Sequence, residues 1–365
     1  MRMNRRGLIL GGGALLLAGA GGLRWTRAVG SMAEYEAYSR RLRETAAKPG
    51  VRDAIRFATL AANGHNTQPW RFRVAEGAID IVADFARRTP VVDPDDHHLY
   101  VSLGCAAENL AIAAGALWRP GEIEIAPGAE FAARFHASTG APGTDPLVAA
   151  IGQRQSTRAD YDGRSVGSGD LEALRQAAAI ADVDLVLVTD PRAIGQVRDL
   201  VIAGNDRQMA DPAFNRELKQ WIRFNPRSAI ASGDGLFSAA SGNPILPSLL
   251  GPLAYDLLVS ARSERPRYAR QIDSSAGLAV FMGAEADPAH WMKVGRAVQR
   301  FALTATALGL KCAFVNQPVE VPELRPDLAA LVGAPGRRPD IVMRFGTGPT
   351  LPYAPRRPVE AVLLA

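Results

Sequence analysis

Asn63-Gly64-His65-Asn66-Thr67-Gln68-Pro69-Trp70-Arg71-Phe72 is the stretch on which the rest of the chain turns. One glycine and three side-chain amides make a tight polar turn, and the Pro-Trp pair then starts a strand with alternating apolar residues Trp70, Phe72 and Val74. Pro69 and Trp70 are read as structural, setting the strand entry and filling the core. Ala75-Glu76-Gly77 breaks that strand and Ala78-Ile79-Asp80-Ile81-Val82-Ala83 returns it, a hairpin signal with one apolar face. Helical spacing upstream, from 33 to about 46 and from 51 to 62, places the turn between a helix and a sheet. Its amides and the approachable main chain at Gly64 suit the polar edge of a bound heterocycle.

Downstream, residues 99–118 read as a long apolar helix, 123–125 as a short strand and 138–145 as a Gly/Pro linker. A helix over 145–153 leads into Arg154-Gln155-Ser156-Thr157-Arg158, followed by a helix over 171–181 capped by Asp170, a strand over 184–189 and a helix over 193–210. Residues 212–275 collect turns, prolines and the aromatics Trp221, Phe224, Phe237, Tyr255 and Tyr268, and read as an insertion that can form a lid. Strands over 277–282, 312–315 and 340–345 then alternate with helices over 291–310 and 322–331. This alternation predicts helices layered around a sheet. The small-residue helices at 104–114 and 297–307 each lead into a strand and can pack closely, which suggests two degenerate halves, 30–144 and 145–365.

Composition narrows the functional classes. The 365 residues are 47% hydrophobic and 22% charged, ordinary usage for a packed body. Lys+Arg exceed Asp+Glu by 42 to 37 and the pI is near 9.5. The basic residues are scattered pairs without interleaved aromatics, so nucleic-acid binding is not expected. Asn4-Arg5-Arg6-Gly7 before the apolar, glycine-rich run 11–23 resembles a twin-arginine export signal over 1–29. That predicts a periplasmic or otherwise exported protein, with transient membrane contact through the signal. Cys105 and Cys312 sit in apolar stretches and read as buried small hydrophobes. Asp93-Pro94-Asp95-Asp96-His97-His98 has the donors of a metal site, yet acids at a helix entry are first of all caps, and no metal is expected. No G-x-S-x-G, H-E-x-x-H or P-loop is present, and no catalytic acid, base or nucleophile is assigned.

Four blocks together resemble the FMN-dependent nitroreductase family, in particular its single-chain, internally duplicated, Acg-like branch. They are 65–72, the Arg154/Ser156/Arg158 motif, the run 305–310 continuing to Val315-Asn316-Gln317-Pro318, and Pro355-Arg356-Arg357-Pro358-Val359. The resemblance implies an α+β fold with a central, mostly antiparallel sheet between helices and FMN at a two-fold interface. It assigns the FMN phosphate to Arg154, Ser156 and Arg158, two guanidinium forks and a hydroxyl, with Arg356 or Arg357 approaching it as well. It assigns the flavin ring and ribityl chain to Asn63, Gly64, His65, Asn66 and Gln68. Asn316 and Gln317 would lie near the flavin N5, with a turn-and-cap role before Pro318 as the equal alternative. Where the family often has Pro-Ser-Ser, this chain has Ala62-Asn63-Gly64, which leaves the individual ring contacts open. Because the turn occurs only in the first half and Arg-x-Ser-x-Arg only in the second, one composite FMN site per chain is expected across an internal pseudo-dimer, and a monomer suffices. The implied activity is two-electron hydride transfer through N5, from NADH or NADPH to a quinone- or nitroaromatic-like small-molecule acceptor. A flavin-binding or flavin-sequestering protein with little turnover is the alternative.

Overall fold

The computed structural model describes residues 27–128 and 130–364; nearly all of the expected export signal lies outside them. In chain order the first part contains α1 (Met32–Arg41), α2 (Val51–Ala58), β1 (Trp70–Ala75), β2 (Ala78–Ala83), α3 (His97–Leu117), β3 (Gly121–Ile125) and β4 (Ala133–Ala137). The second part begins with α4 (Leu147–Gln153), α5 (Ser168–Ala177), β5 (Val183–Val188), α6 (Pro191–Ala210), α7 (Pro212–Trp221), β6 (Ile222–Arg223), α8 (Pro226–Ser232) and β7 (Leu236–Phe237). It continues through α9 (Gly251–Leu258), α10 (Ala261–Asp273), β8 (Gly277–Gly283), α11 (Pro288–Ala307), β9 (Lys311–Phe314), α12 (Gln317–Glu320), α13 (Arg325–Leu331) and β10 (Ile341–Gly346). The fold class is α+β, with every neighbouring pair in both main sheets antiparallel.

The two main sheets follow one path. Their strand orders are β1-β2-β4-β3 and β5-β8-β10-β9, and in each a long helix, α3 or α11, connects the second strand to the third. Their environments differ. In β1 burial fades outward and Arg73, Asp80 and Arg134 form an ion network on one face, so the first sheet is half-solvated, as its alternating sequence demands. In β8, Gly-Leu-Ala-Val-Phe-Met-Gly is buried at every position, because α11 covers one face and α6, α10 and α13 the other. The chain crosses between sheets at two points: Leu363 bridges Phe72 in parallel at the edge of the first, and Ser156 bridges Cys312 at the edge of the second.

The long helices meet at glycine. A Cβ on Gly104 of α3 would fall 2.0 Å from the Met292 carbonyl oxygen of α11, and one on Gly295 of α11 would fall 2.1 Å from the Val101 carbonyl oxygen of α3. The contacts are reciprocal and each spans three residues, a local two-fold relation. Absence of side chains lets the backbones approach. Gly104 thus stands opposite Gly295, so the two small-residue helices do pack closely. α3 is long and apolar enough to cross a membrane, but it is the central core helix.

Some element bounds differ from the sequence reading for visible reasons. β4 escapes it, because Ala-Arg-Phe-His-Ala has one large apolar residue, Phe135, seated against Ile79 and Ile123. α2 stops at Ala58 rather than 62, and the carbonyls of Thr59, Leu60 and Ala61 are taken by an arginine from the tail. The connection between the first two strands of each sheet is the largest difference: Glu76-Gly77 in the first, and everything from Pro191 to Ala276 in the second.

Candidate cofactor-binding site

The turn that opens the sequence reading is backbone-strained. His65, Asn66 and Gln68 have φ of 47°, 54° and 54°, left-handed values that cost non-glycine residues on the order of 1–3 kcal/mol each. Neighbouring groups hold them there. The Asn63 Oδ1 accepts from the Gln68 N–H at 2.8 Å, and the Gly64 N–H donates to Ser102 Oγ. The Asn66 amide donates to the carbonyls of Gly235 and Pro355, and the Gln68 amide donates to that of Gly233. Gln68 Oε1 accepts from the Arg357 main-chain N–H at 2.9 Å. The turn is therefore a knot tying together the first half, the 191–276 segment and the C-terminal tail.

Arg-x-Ser-x-Arg leaves α4 in extended conformation, Arg154 having φ −63° and ψ 133°. Arg154, Ser156 and Arg158 follow one another at the two-residue spacing of an extended chain, and Gln155 lies between them on the wall of the same pocket. Gln155 and Thr157 bond each other and the main chain of Leu351, while the Thr157 N–H donates to the Cys312 carbonyl. Arg154, Ser156 and Arg158 line a small pocket of about 50 Å³ with Arg43 and Arg356. Four arginines and no carboxylate surround it.

The arginines differ in what they meet. All five N–H groups of Arg356 are engaged: Nε on the Thr59 carbonyl, Nη1 on Asn66 Oδ1 and the Pro355 carbonyl, Nη2 on the carbonyls of Leu60 and Ala61. Burial, and then the charges of Arg154 and Arg43, push its pKa well down, though a guanidinium stays charged. Arg43 donates to Ser39 and lies over the Tyr353 ring, its pKa pushed down to about 10 by burial. Arg154 is buried with one bond, Nη2 to the Leu60 carbonyl at 3.0 Å, and its Nε has no partner among the described residues. Arg158 forms no ion pair among the described residues, and burial lowers its pKa too. Uncompensated buried positive charge of this kind calls for an anion with several acceptor oxygens.

A larger cavity of about 510 Å³ adjoins the arginine pocket, sharing Ala62, Asn63, Arg158, Leu236 and Ser241 with it. Its polar wall carries Asn63, Gly64, His65, Asn316 and Gln317 from the sequence reading. It also carries residues that reading missed: His98, Asn205, Gln208, Glu320 and Arg344. The Asn205 amide nitrogen, Gln317 Oε1 and His98 Nε2 are buried without partners among the described residues. His65 is kept neutral, its pKa pushed down to about 4 by burial and the Arg158 charge. Glu320, bonded by Gln208 at 2.6 Å, has its pKa raised by burial. The opposite wall is apolar and comes from the 191–276 segment: Phe214, Leu218, Ile222, Phe224, Tyr255 and Leu258.

Several expected site residues are placed elsewhere. Gln68 and Arg357 line neither space; the Arg357 guanidinium reaches the Ala361 carbonyl and stands 3.8 Å from Asp84. Asn66 and Arg356 line the arginine pocket, and their side-chain polar atoms are already engaged by protein partners. Of Asn316 and Gln317, Asn316 has the turn role: its Oδ1 accepts from Val342 N–H and its carbonyl starts α12. Gln317 donates to the Tyr268 hydroxyl at 2.7 Å and leaves its Oε1 open. Of the expected lid aromatics, Phe224, Tyr255 and Tyr268 line the cavity; Phe237 packs on Tyr35 at the arginine pocket, and Trp221 lies under Arg87 and Arg223. Asp93, His97 and His98 lie within 4.8 Å of one another, but both Asp93 oxygens accept main-chain N–H groups, of His98 and Leu99, at 2.9 and 3.0 Å. Asp93 is a cap. Cys105 and Cys312 are both buried and free.

Arg43 and Arg344 are the arginines the sequence reading overlooked. Arg344 is fully buried on β10 and bonds the carbonyls of Gln271, Thr157 and Ala159, fixing the Arg-x-Ser-x-Arg segment to α10. Its one legible signal is a charge inside the apolar run Ile-Val-Met-Arg-Phe.

No family model matches the chain. A Mycobacterium tuberculosis protein named "Putative NAD(P)H nitroreductase" is 27% identical over 328 residues, covering 86% of this chain and 90% of its own. A second from that organism, "Putative NAD(P)H nitroreductase acg", is 24% identical over 341 residues, covering 86% of this chain and 94% of its own. Among solved structures, an FMN-bound nitroreductase from Desulfitobacterium hafniense aligns at 15% identity and TM-score 0.39, covering 59% of this chain and 94% of that one. Nitroreductase A from Vibrio parahaemolyticus aligns at 16% identity and TM-score 0.38, covering 61% and 76%. Along most of its length, then, the chain is similar to proteins named as NAD(P)H nitroreductases, in keeping with the resemblance its motifs carry.

Proposed function

We propose that this protein is an FMN-dependent oxidoreductase of nitroreductase type with one composite flavin site per chain. The observation that carries the reading is the acid-free pocket of four arginines, one with an orphaned Nε, opening into a 510 Å³ cavity. A volume of about 300–1,000 Å³ is usual for a ligand site. Arg154, Arg158 and Ser156 would hold the phosphate. Asn63, the Gly64 main chain, Asn205 and Gln317 would meet the polar edges of the ring system, pairing buried atoms otherwise without partners. Bound FMN supplies two-electron hydride chemistry, which these side chains do not possess.

The protein's own contribution is position and electrostatics. Arg154 and Arg158 neutralise the phosphate; neutral His65 adds no further positive charge beside Arg158. Phe224 and Tyr255 on the opposite wall exclude water and offer a flat apolar surface for a quinone- or nitroaromatic-like acceptor. NADH or NADPH is the proposed electron donor. The two sheets of equal strand order and the reciprocal Gly104/Gly295 crossing support an internal pseudo-dimer, with the site formed where its halves meet. Export by the twin-arginine route is proposed with it, since that route carries folded, cofactor-loaded proteins.

The absorption spectrum of the purified chain tests the reading first. Flavin bands at one FMN per chain are expected, followed by anaerobic bleaching with NADH or NADPH and recovery on adding a quinone or nitroaromatic. Two FMN per chain would contradict the composite site, and no flavin uptake would remove the proposal. A flavin-holding role with little turnover is favoured by one observation, the roof of the cavity supplied by the 191–276 segment; stable flavin bands that no nicotinamide bleaches would select it.

A further inference from the structure

The helix that roofs the cavity, α9, is apolar on more than its cavity face. Of its eight residues, Gly-Pro-Leu-Ala-Tyr-Asp-Leu-Leu, Asp256 alone is charged, and it is bonded to Lys219 at 2.7 Å. Ala254, Tyr255 and Leu258 turn to the cavity, together with Gly251. The other face, with Leu249 and Leu250 just before the helix and Leu253 and Leu257 in it, packs against nothing described: Leu249 is 83% and Leu257 84% exposed. A contiguous exposed apolar face of this kind marks an interaction site.

We propose that this leucine face is a docking surface for an anionic lipid bilayer. Three observations favour lipid over another occupant. First, the apolar surface is continuous with the cavity: Leu258 is 71% exposed and also lines it, so the mouth lies at the edge of the leucine face. Second, basic groups lie on the two helices next to α9: α7, which is bonded to it through Asn215–Tyr255 and Lys219–Asp256, and α10, which follows it after Val259 and Ser260. Arg216 on α7 and Arg262 on α10 are exposed and form no ion pair among the described residues, and they can meet phosphate headgroups. Third, the N-terminal chain enters beside it. The Arg27 carbonyl accepts from Arg227 on α8, and the α8 cap residue Asn225 donates to the Leu246 carbonyl and Ser248 Oγ, at the threshold of the leucine segment. Docked this way, the cavity mouth faces the headgroup layer, and amphiphilic small molecules dissolved in the bilayer reach the cavity without crossing water. This stands apart from the flavin reading and holds whether or not FMN turns over.

Vesicle flotation of the full chain tests it, with the wild type compared to the Leu253→Ser/Leu257→Ser double variant and to Leu249→Ser. All three share the N-terminal segment, so its own lipid affinity cancels. Phosphatidylglycerol-containing vesicles are expected to carry the wild type, with partitioning about tenfold or more weaker for the double variant and weaker to a smaller degree for Leu249→Ser. Arg262→Gln is expected to lower binding several-fold on anionic vesicles and not on phosphatidylcholine alone. Unchanged thermal midpoints would show that the exposed leucines are not structural. Equal flotation of wild type and leucine variants overturns the proposal. So does light scattering that shows a dimer dissociated by the leucine substitutions without vesicle binding, which would make the face a contact between copies.

Discussion

The two halves of this molecule agree where helices cross and disagree where chemistry can occur. α3 and α11 approach through reciprocal glycines and follow strands in the same order, so the central frame is close to two-fold symmetric. The sides of the frame diverge. Between its first two strands one half has a two-residue turn and a solvated face; the other has a helical segment that covers both its sheet and a cavity. Symmetry is kept where backbone packing leaves no room for side chains. It is lost at the periphery, where a loop can lengthen at little thermodynamic cost.

The frame is the place to break first. Gly104→Ala and Gly295→Ala each force a methyl to about 2 Å from a carbonyl oxygen, and each should cost about 3 kcal/mol or more in urea unfolding. If the crossing is two-fold, the two losses agree to within about 1 kcal/mol; a tolerated alanine at one position and not at the other breaks the symmetry.

The arginine pocket separates support from ligand contact. Arg356→Met leaves buried carbonyls of Thr59, Leu60 and Ala61 without donors, and the FMN-free protein should lose about 3 kcal/mol by thermal or chemical denaturation. Arg154→Gln should do the opposite. Removing a buried charge with an orphaned Nε leaves the FMN-free protein as stable or more so, whereas FMN affinity, followed by fluorescence titration, should fall about 30- to 100-fold. An FMN-free protein destabilised by Arg154→Gln would show that Arg154, like Arg356, is a strut.

The last expected effect concerns His65. Its folded pKa of about 4 lies below the ordinary 6.5, so the unfolded chain binds the proton first as pH falls. The stabilising contribution is complete above pH 6.5 and is lost between 6.5 and 4, a decline of at most about 3 kcal/mol. His65→Asn keeps a residue that tolerates positive φ and should remove that part of the acid slope in unfolding measured across the interval; an unchanged slope would assign it to other groups.

Much of the site was legible because its residues are local. Asn63, Gly64 and His65 sit in one turn and Arg154, Ser156 and Arg158 in one extended segment, so each group is brought together by its own few positions. The hairpin of β1 and β2 and the fully buried β8 were likewise written in alternation and in its absence. What the chain could not disclose locally is where a polar side chain points. Asn66, Gln68, Arg356 and Arg357 have the composition of ligand contacts, and they became supports because three segments distant in sequence bring carbonyls and main-chain N–H groups to them first. Arg43, Arg344 and Glu320 became part of the site for the same reason in reverse.

By itself, then, the sequence determined most of the elements outside 212–275, the polar turn and the arginine motif, since these follow from spacing and from residue chemistry over a few positions. Only the tertiary structure decided that the motif's arginines remain without acid partners while Arg356 of the tail is fully engaged. Hydrogen bonds and burial are settled between segments some 90 to 300 residues apart, and no local pattern carries that information.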